Sequence, residues 1–352
     1  MMDRIPADAE LVLHIGAPKT GSSAIQRHCC LHAADLRAAG IHYPPHPLDA
    51  NGVSGGHGEL FGLLLGGQAA SARRALACHL ADARRAGCRL LLSAEGVFAQ
   101  AAAIVPALPT PRFHIVCLLR HPLDAIASHH NQGIKRHFGT GPLAQAADAL
   151  ISGAHVNPAL SGGALFDWLR TCGRDRMTVL PYIVNGQPVD ALDRLAAVFG
   201  LPAPAGCRPI NRSYTPAAAA LRRMVNGLPE PLLVDFDERL DRALQAYSDA
   251  SDTMPPQVAD LLDAGQSAAL ERLFRPDVER LEAAFGIRLE VRGRAADRDQ
   301  TGGSDTLAAV WRHVQRDARL AEAVRAAVAA ARREGLAVEP LDDLARLVDA
   351  GA

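Results

Sequence analysis

One short stretch near the N-terminus constrains the fold more than any other part of the chain. Residues 11–26 read LVLHIGAPKTGSSAIQ, an apolar run followed by a turn with two glycines and a proline, and then by a helical pattern from about Ser22. Such a run suits a buried parallel strand. Because the first N–H groups of a helix have no internal partners, the stretch predicts an anion-binding loop between a strand and a helix.

The order of residues in this loop separates two kinds of phosphate binder. The nucleoside-triphosphate loop, G-x-x-x-x-G-K-[ST], has its lysine after the last glycine. In this chain Lys19 instead comes two residues before Gly21. The order resembles the 5′-phosphosulfate loop of the PAPS-dependent sulfotransferases, K-[TS]-G-[ST]-[ST], and the alternative is an ordinary strand-to-helix connection. The resemblance implies that the nucleotide is bound by Pro18, Lys19, Thr20, Gly21, Ser22 and Ser23.

A second motif supports the same family. The apolar run 113–119 predicts a strand that ends at Arg120, and Ser128 follows eight residues later on a predicted helix. In the family that this resembles, such an arginine and serine hold the 3′-phosphate of the nucleotide. A guanidinium can bind phosphate through two parallel hydrogen bonds, which makes the assignment chemically reasonable. Asn131 and Lys135 share a helix face with Ser128; they are expected to be solvated, and the alternative is that one or two of them contact the nucleotide or the acceptor.

Two residues are candidates for the general base. Glu95 follows the predicted strand 89–93, and ligands of doubly wound sheets bind beyond the carboxyl ends of the strands. The resemblance implies that an acidic residue at this place takes the proton of the acceptor, whereas the alternative is that Glu95 only caps the following helix. The resemblance also implies that His57, near the end of the turn-rich segment 40–58, belongs to the acceptor pocket, where it would be a second candidate base; the alternative is a loop histidine exposed to water.

The later part of the chain contributes weaker expectations. Asn211 and Arg212 lie in a loop that, by the resemblance, folds over the 3′-phosphate side of the nucleotide, although such loops are often simple connections. Trp168 is expected in the core. The resemblance covers residues 11–289, so we predict a sulfotransferase-like domain at 1–290, a linker at 291–304 and a helical extension at 305–352. The pattern in 305–335 predicts one long helix for packing or dimerisation.

Composition excludes several classes of function. The 352 residues carry a formal net charge of −1, which argues against a general nucleic-acid or membrane surface. No apolar stretch approaches the roughly 20 residues of a membrane span, and the seven cysteines show no metal-type spacing. These features favour a cytoplasmic protein with reduced cysteines.

Together the motifs predict an α/β fold of the P-loop type, with a central parallel sheet of about four or five strands flanked by helices. The implied reaction moves a sulfuryl group from PAPS to a hydroxyl of an acceptor, expected to be a saccharide, and releases PAP without a metal. Two rivals stay open. A nucleotide kinase would need the other lysine order and a strand-end aspartate for magnesium. A non-catalytic nucleotide-binding protein would keep the loop without turnover.

Overall fold

The computed structural model of the chain describes residues 5–48, 54–154, 160, 162–203, 213–251, 258–292, 306–335 and 339–350. Two compact units interleave along the sequence. Unit 1 comprises Met1–Ala125, Val156–Ile210 and Glu271–Gly293, and unit 2 comprises Ile126–His155, Asn211–Leu270 and Arg294–Ala352. The linear division at residues 290 and 304 stays a prediction.

The elements are named here in chain order. The strands are β1 Leu11–His14, β2 Ile41–His42, β3 Arg89–Ser93, β4 Phe113–Leu119, β5 Met177–Pro181, β6 Ile183–Val184 and β7 Gln187–Pro188. The helices are α1 Ser22–Leu31, α2 Ala33–Ala38, α3 Gly58–Leu65, α4 Ala69–Arg85, α5 Ala101–Ile104, α6 Pro122–Arg136, α7 Leu143–Ile151, α8 Ala164–Cys172, α9 Ala191–Phe199, α10 Pro216–Asn226, α11 Asp237–Ala250, α12 Val258–Leu261, α13 Ala264–Phe285, α14 Leu307–Val314, α15 Ala318–Arg333 and α16 Glu339–Ala350.

Unit 1 is built on the predicted parallel sheet. Its five strands lie in the order β2-β3-β1-β4-β5, and every neighbouring pair is parallel. All seven residues of β4 are buried, as expected for a strand covered on both faces. Because strand side chains alternate in direction, Leu11 and Leu13 join one hydrophobic cluster and Val12 joins another. The predicted α/β class with a central parallel sheet flanked by helices is confirmed.

Some predicted boundaries are wrong for local reasons. The expected helix from Ser22 to about residue 39 is interrupted at His32, which has φ −111° between α1 and α2. The segment after residue 40 contains β2, a strand of only two residues that is too short to give a periodic signal. The single helix predicted for 305–335 divides because Asp317 caps α15 by accepting the Leu320 N–H at 3.1 Å.

Unit 2 is helical. A shared core joins α10 and α11 with α14, α15 and α16, and Tyr214 and Trp311 are among its fully buried side chains. The helices from residue 307 onward therefore belong to this core. Among the described residues of the chain, no helix combines the length and apolar character that crossing a membrane requires.

Candidate active site

Three polar elements of unit 1 meet at the carboxyl ends of the sheet strands. The loop 16–21 follows β1, Glu95 is the second residue after β3, and Arg120 is the first residue after β4. Because β1 lies between β3 and β4 and all three are parallel, their carboxyl ends are adjacent. This is the position at which open α/β sheets bind ligands.

The backbone of the loop requires its glycines. Gly16 has φ +42° and Gly21 has φ +88°, both in the left-handed region. A Cβ atom on Gly16 would lie 2.3 Å from Ser22 Oγ, and one on Gly21 would lie 2.8 Å from Ala191 Cβ. Lys19 also has a positive φ, +67°, which is rare for a residue with a side chain and is concentrated at functional sites.

The end of α1 is shaped to accept an anion. Gly21 is the N-cap of this ten-residue helix and supplies no side-chain acceptor for the first N–H groups. Those groups and the helix dipole therefore face the loop as positive partial charge. Ser22 is buried, and Pro18 and Ser23 are half-buried, so the residues that the sequence assigned to this loop surround the helix terminus.

Thr20 has a different place from the other hydroxyl residues. It is fully buried, and its Oγ1 donates to the carbonyl oxygen of Ala17 at 2.7 Å. Its hydroxyl proton is thus used to close the loop. We infer that Thr20 maintains the loop conformation, while contact with a bound anion falls to the neighbouring residues.

Glu95 faces the loop. Burial raises the pKa of its carboxyl above the usual range, while the Lys19 charge and the Ser22 hydroxyl act in the opposite direction. Ser22 Oγ has no well-aligned hydrogen-bond partner among the described residues, although it is near enough to Glu95 to favour the carboxylate. Glu95 is the first residue of a short 3₁₀ helix, Glu95–Val97. Its electrostatic neighbours nevertheless belong to the loop, which favours a site role over a cap alone.

A buried polar network fixes the end of β3. His14 and Ser93 are register partners in neighbouring strands, and His14 Nδ1 lies 2.8 Å from Ser93 Oγ. Gln26 of α1 donates its Nε2–H to the same oxygen at 3.1 Å. Burial lowers the pKa of His14 to about 4, so its ring is neutral at physiological pH. The network ties β1, β3 and α1 together and so positions Glu95, two residues further on.

His57 is held from both sides of its ring. Its Nδ1 accepts the Ser93 N–H at 3.1 Å, and its Nε2 lies 3.1 Å from the Pro44 carbonyl, to which it donates. Burial lowers the pKa of His57 to about 4, and the ring is 5% exposed. Both nitrogens are occupied by backbone groups, so the geometry favours Glu95 over His57 as the proton acceptor.

Arg120 lies beside the loop in a charged cluster. Its Nη1 donates to the Lys19 carbonyl at 3.3 Å, and Arg120 Nε is buried with no hydrogen-bond partner among the described residues. Burial lowers the pKa of the guanidinium, Asp124 and Tyr182 raise it, and Arg292 lowers it further. A guanidinium with an unused buried donor fits an anionic ligand such as phosphate.

Arg292 is a residue that sequence reasoning missed. Its backbone N–H donates to Asp124 Oδ2 at 2.8 Å across 168 residues of sequence, and its charge acts on Arg120. Asp124 is itself buried. Asp124 therefore holds the backbone of Arg292, and the charges of both residues act on the Arg120 guanidinium. No spacing rule connects positions so far apart, so only the folded chain reveals this pair.

The assigned residues of α6 from Ser128 onward belong to unit 2. Ser128 is buried in the part of α6 that belongs to unit 2, and its role in nucleotide binding stays a prediction. The solvated face predicted around it is wrong. Asn131 bonds the backbone of Tyr214 in both directions at 3.0 and 3.1 Å, and Lys135 is buried against Gln245.

Two further expectations have different outcomes. Asn211 and Arg212 lie outside the described residues. Trp168 is fully buried and donates to the Phe98 carbonyl at 2.7 Å, which confirms that it belongs to the core.

Comparisons with known proteins give one match. No family model matches the chain, and no curated protein matches it. A search of solved structures matches the crystal structure of a sulfotransferase from Alicyclobacillus acidocaldarius. The identity is 16%, the match covers 81% of this chain and 98% of that chain, and the TM-score is 0.40. A similarity at that level is too low to carry a functional argument, which must come from the residues of the chain itself.

Proposed function

We propose that the chain is a sulfotransferase that moves a sulfuryl group from PAPS to a hydroxyl of an acceptor. The observation that carries the proposal is the convergence of the lysine-bearing loop, Glu95 and Arg120 at the ends of three adjacent strands. These groups supply, in one place, an anion-binding helix terminus, a candidate base and a second anion site. PAPS carries phosphate at both its 5′ and 3′ ends, so it matches a site with two separate anion-binding elements.

The residues present fit such a donor. The loop N–H groups and Lys19 would hold the 5′-phosphosulfate, and Arg120, with its unused buried Nε, would hold the 3′-phosphate. Arg292 adds positive charge beside Arg120. The sequence pattern alone assigns Ser128 to the same phosphate.

The proposed chemistry follows from these positions. Glu95 takes the proton of the acceptor hydroxyl as its oxygen attacks sulfur, and the bond between sulfur and the bridging phosphate oxygen breaks. Lys19 and the helix terminus stabilise the negative charge that develops on the leaving phosphate. The proton ends on Glu95 and the electron pair on the phosphate, so the transfer requires no oxidant and no reductant, and the positive charge is supplied by Lys19 and the helix terminus.

The environment of Glu95 suits a general base. A carboxylate with a normal pKa is a weak base, and burial moves the pKa of Glu95 upward. The opposing charge of Lys19 keeps the ionised form accessible. His57 is less suited to accept a proton because both of its ring nitrogens are hydrogen-bonded to backbone groups.

A kinase is the principal rival, and two features disfavour it. Lys19 precedes the last glycine of the loop, whereas the lysine of a nucleoside-triphosphate loop follows it. Arg120 directly follows β4, at the place where a magnesium-binding kinase would have an aspartate. The nearest carboxylate after β4, Asp124, accepts a backbone N–H from Arg292. For the acceptor we propose a saccharide hydroxyl, on the resemblance noted in the sequence.

A labelled-transfer assay tests the proposal. Full-length protein is incubated with ³⁵S-labelled PAPS and a panel of saccharide, lipid and small hydroxyl acceptors, with the Lys19→Ala variant as the matched control. We expect label on at least one acceptor with wild type and a large loss with Lys19→Ala. Tight PAPS binding without transfer to any acceptor would instead support the non-catalytic nucleotide-binding rival.

A further inference from the structure

A cluster of potential metal ligands lies away from the candidate active site. His42, His79 and Asp82 each offer one ligand atom, and these atoms all lie within 4.8 Å of one another. His42 belongs to the edge strand β2, and His79 and Asp82 belong to α4. We call these three residues the edge cluster.

The fold brings the edge cluster together for a simple reason. β2 pairs with β3, His42 standing opposite Leu90, and α4 is the helix that leads into β3. His79 and Asp82 are three residues apart on that helix, so they share one face. A strand residue and a helix pair thus meet on the outer edge of unit 1, where all three side chains are half-buried.

The atoms that the three side chains offer suit a cation. Imidazole nitrogens and carboxylate oxygens are both ligands of divalent transition metals. Arg85 donates to one carboxylate oxygen of Asp82, Oδ1, and leaves Oδ2 for a metal.

We propose that the edge cluster is a binding site for one divalent transition-metal ion of the zinc type, with His42, His79 and Asp82 as its protein ligands. Two imidazoles and one carboxylate are a donor set for zinc, copper or nickel, whereas magnesium and calcium prefer oxygen ligands. Half-exposed ligands leave a coordination position open to solvent. The metal would clip the two-residue edge strand to α4, and the proposal does not depend on the transferase reaction.

The present geometry requires a modest closure. Around a tetrahedral zinc ion with bonds of about 2.0–2.1 Å, ligand atoms stand roughly 3.3 Å apart. Because the three atoms lie within 4.8 Å of one another, they must approach by at most about 1.5 Å. Side-chain rotation on a surface helix can supply a movement of this size.

Arg37 competes with the metal, and this gives the proposal a distinctive test. Its Nη2 donates to His42 Nδ1 at 3.2 Å. If the metal binds at Nδ1, Arg37 must leave that atom. If the metal binds at Nε2, the proton must move to Nδ1, which cannot then accept from Arg37. In either case removal of the Arg37 guanidinium should strengthen metal binding.

Calorimetric titration of the tag-free, chelator-treated full chain with zinc chloride is the test. We expect one ion per chain. Loss of an outer-shell partner typically weakens metal binding about 10–100-fold, so loss of a ligand in His79→Ala or Asp82→Asn should weaken it at least about tenfold. Arg37→Ala should bind more tightly than wild type. His32→Ala is the matched control, because His32 pairs with the exposed Asp35 elsewhere on unit 1, and it should bind zinc as wild type does.

Several results would overturn the proposal. These are no saturable zinc binding, binding that survives both His79→Ala and Asp82→Asn, binding lost in His32→Ala, or weaker binding in Arg37→Ala. Circular dichroism at the titration temperature checks that each variant is folded. Cobalt substitution of the wild type gives an independent readout, since imidazole ligation produces a ligand-field spectrum that zinc should displace in a one-to-one ratio.

Discussion

Replacing Glu95 by glutamine tests whether Glu95 is the general base. The change keeps the shape of the side chain and removes its ability to accept a proton. Removal of a general base typically costs about 10²–10⁴-fold in rate, or about 3–5 kcal/mol in the activation barrier. Because glutamine keeps the shape of the side chain and removes a negative charge beside Lys19 and Ser22, the affinity for PAP should be at least that of the wild type.

The role of Glu95 also predicts how kcat changes with pH. A base must be deprotonated to act, so wild-type kcat should rise as pH increases through the raised pKa of Glu95. Glu95→Gln should lack that rise. The same raised pKa also makes stability depend on pH. Because the pKa of Glu95 is higher in the folded than in the unfolded state, ionisation of Glu95 opposes folding, and the free energy of unfolding falls as pH rises above the unfolded-state pKa. Glu95→Gln should therefore unfold at a higher temperature than wild type at pH 8, and the difference should shrink toward pH 4.

The assay combines steady-state transfer from PAPS with calorimetric titration of PAP. Glu59→Gln is the matched control, since Glu59 is an exposed acid on α3 of the same unit and its replacement should leave kcat unchanged. A Glu95→Gln enzyme that turns over at the wild-type rate with an unchanged pH profile would refute the assignment. The proton would then have to pass to another group, and Glu95 would be left as a helix cap.

Three further predictions concern binding and stability. Arg120→Ala should raise the Kd of PAP about 10–150-fold, because it removes a charge-assisted hydrogen bond worth about 1.5–3 kcal/mol. Lys19→Ala should instead lower kcat beyond any change in KM. If both variants changed KM alone and to the same extent, these roles would be wrong. Gly21→Ala should destabilise more in chemical denaturation than Gly40→Ala, since both have φ above +80° but only the first Cβ meets another side chain; equal losses would argue against the packing described. His57, with its pKa lowered to about 4, should make stability fall by on the order of 2 kcal/mol from pH 7 to pH 5, an effect that His57→Gln should reduce.

The sequence predicted the centre of unit 1 well because local patterns determine it. The run 113–119 is continuously apolar and forms β4 with those bounds, and Gly200 ends α9 in the left-handed conformation. The loop between β1 and α1 could be predicted because the apolar strand, the glycines of the turn and the start of the helix are all local signals. The signals that succeeded all lie within about a dozen residues.

The features that the sequence did not reveal depend on contacts between distant residues. Arg292 reaches Asp124 across 168 residues, and no periodicity connects them. The two backbone hydrogen bonds of His57 could not be predicted either, because a loop histidine reads the same in the sequence whether it is exposed or bonded on both nitrogens. The edge cluster was missed for the same reason, since its three ligands come from a two-residue strand and a helix.

A paired calorimetric titration decides whether this site binds a nucleotide with a 3′-phosphate. PAP and ATP with magnesium are titrated into the full chain under identical conditions, and both titrations are repeated with Arg120→Ala. We expect PAP to bind more tightly than ATP with magnesium and Arg120→Ala to remove most of the difference, because ATP lacks the phosphate that Arg120 would hold. Tighter binding of ATP with magnesium than of PAP would rule out this assignment of Arg120 and favour the kinase.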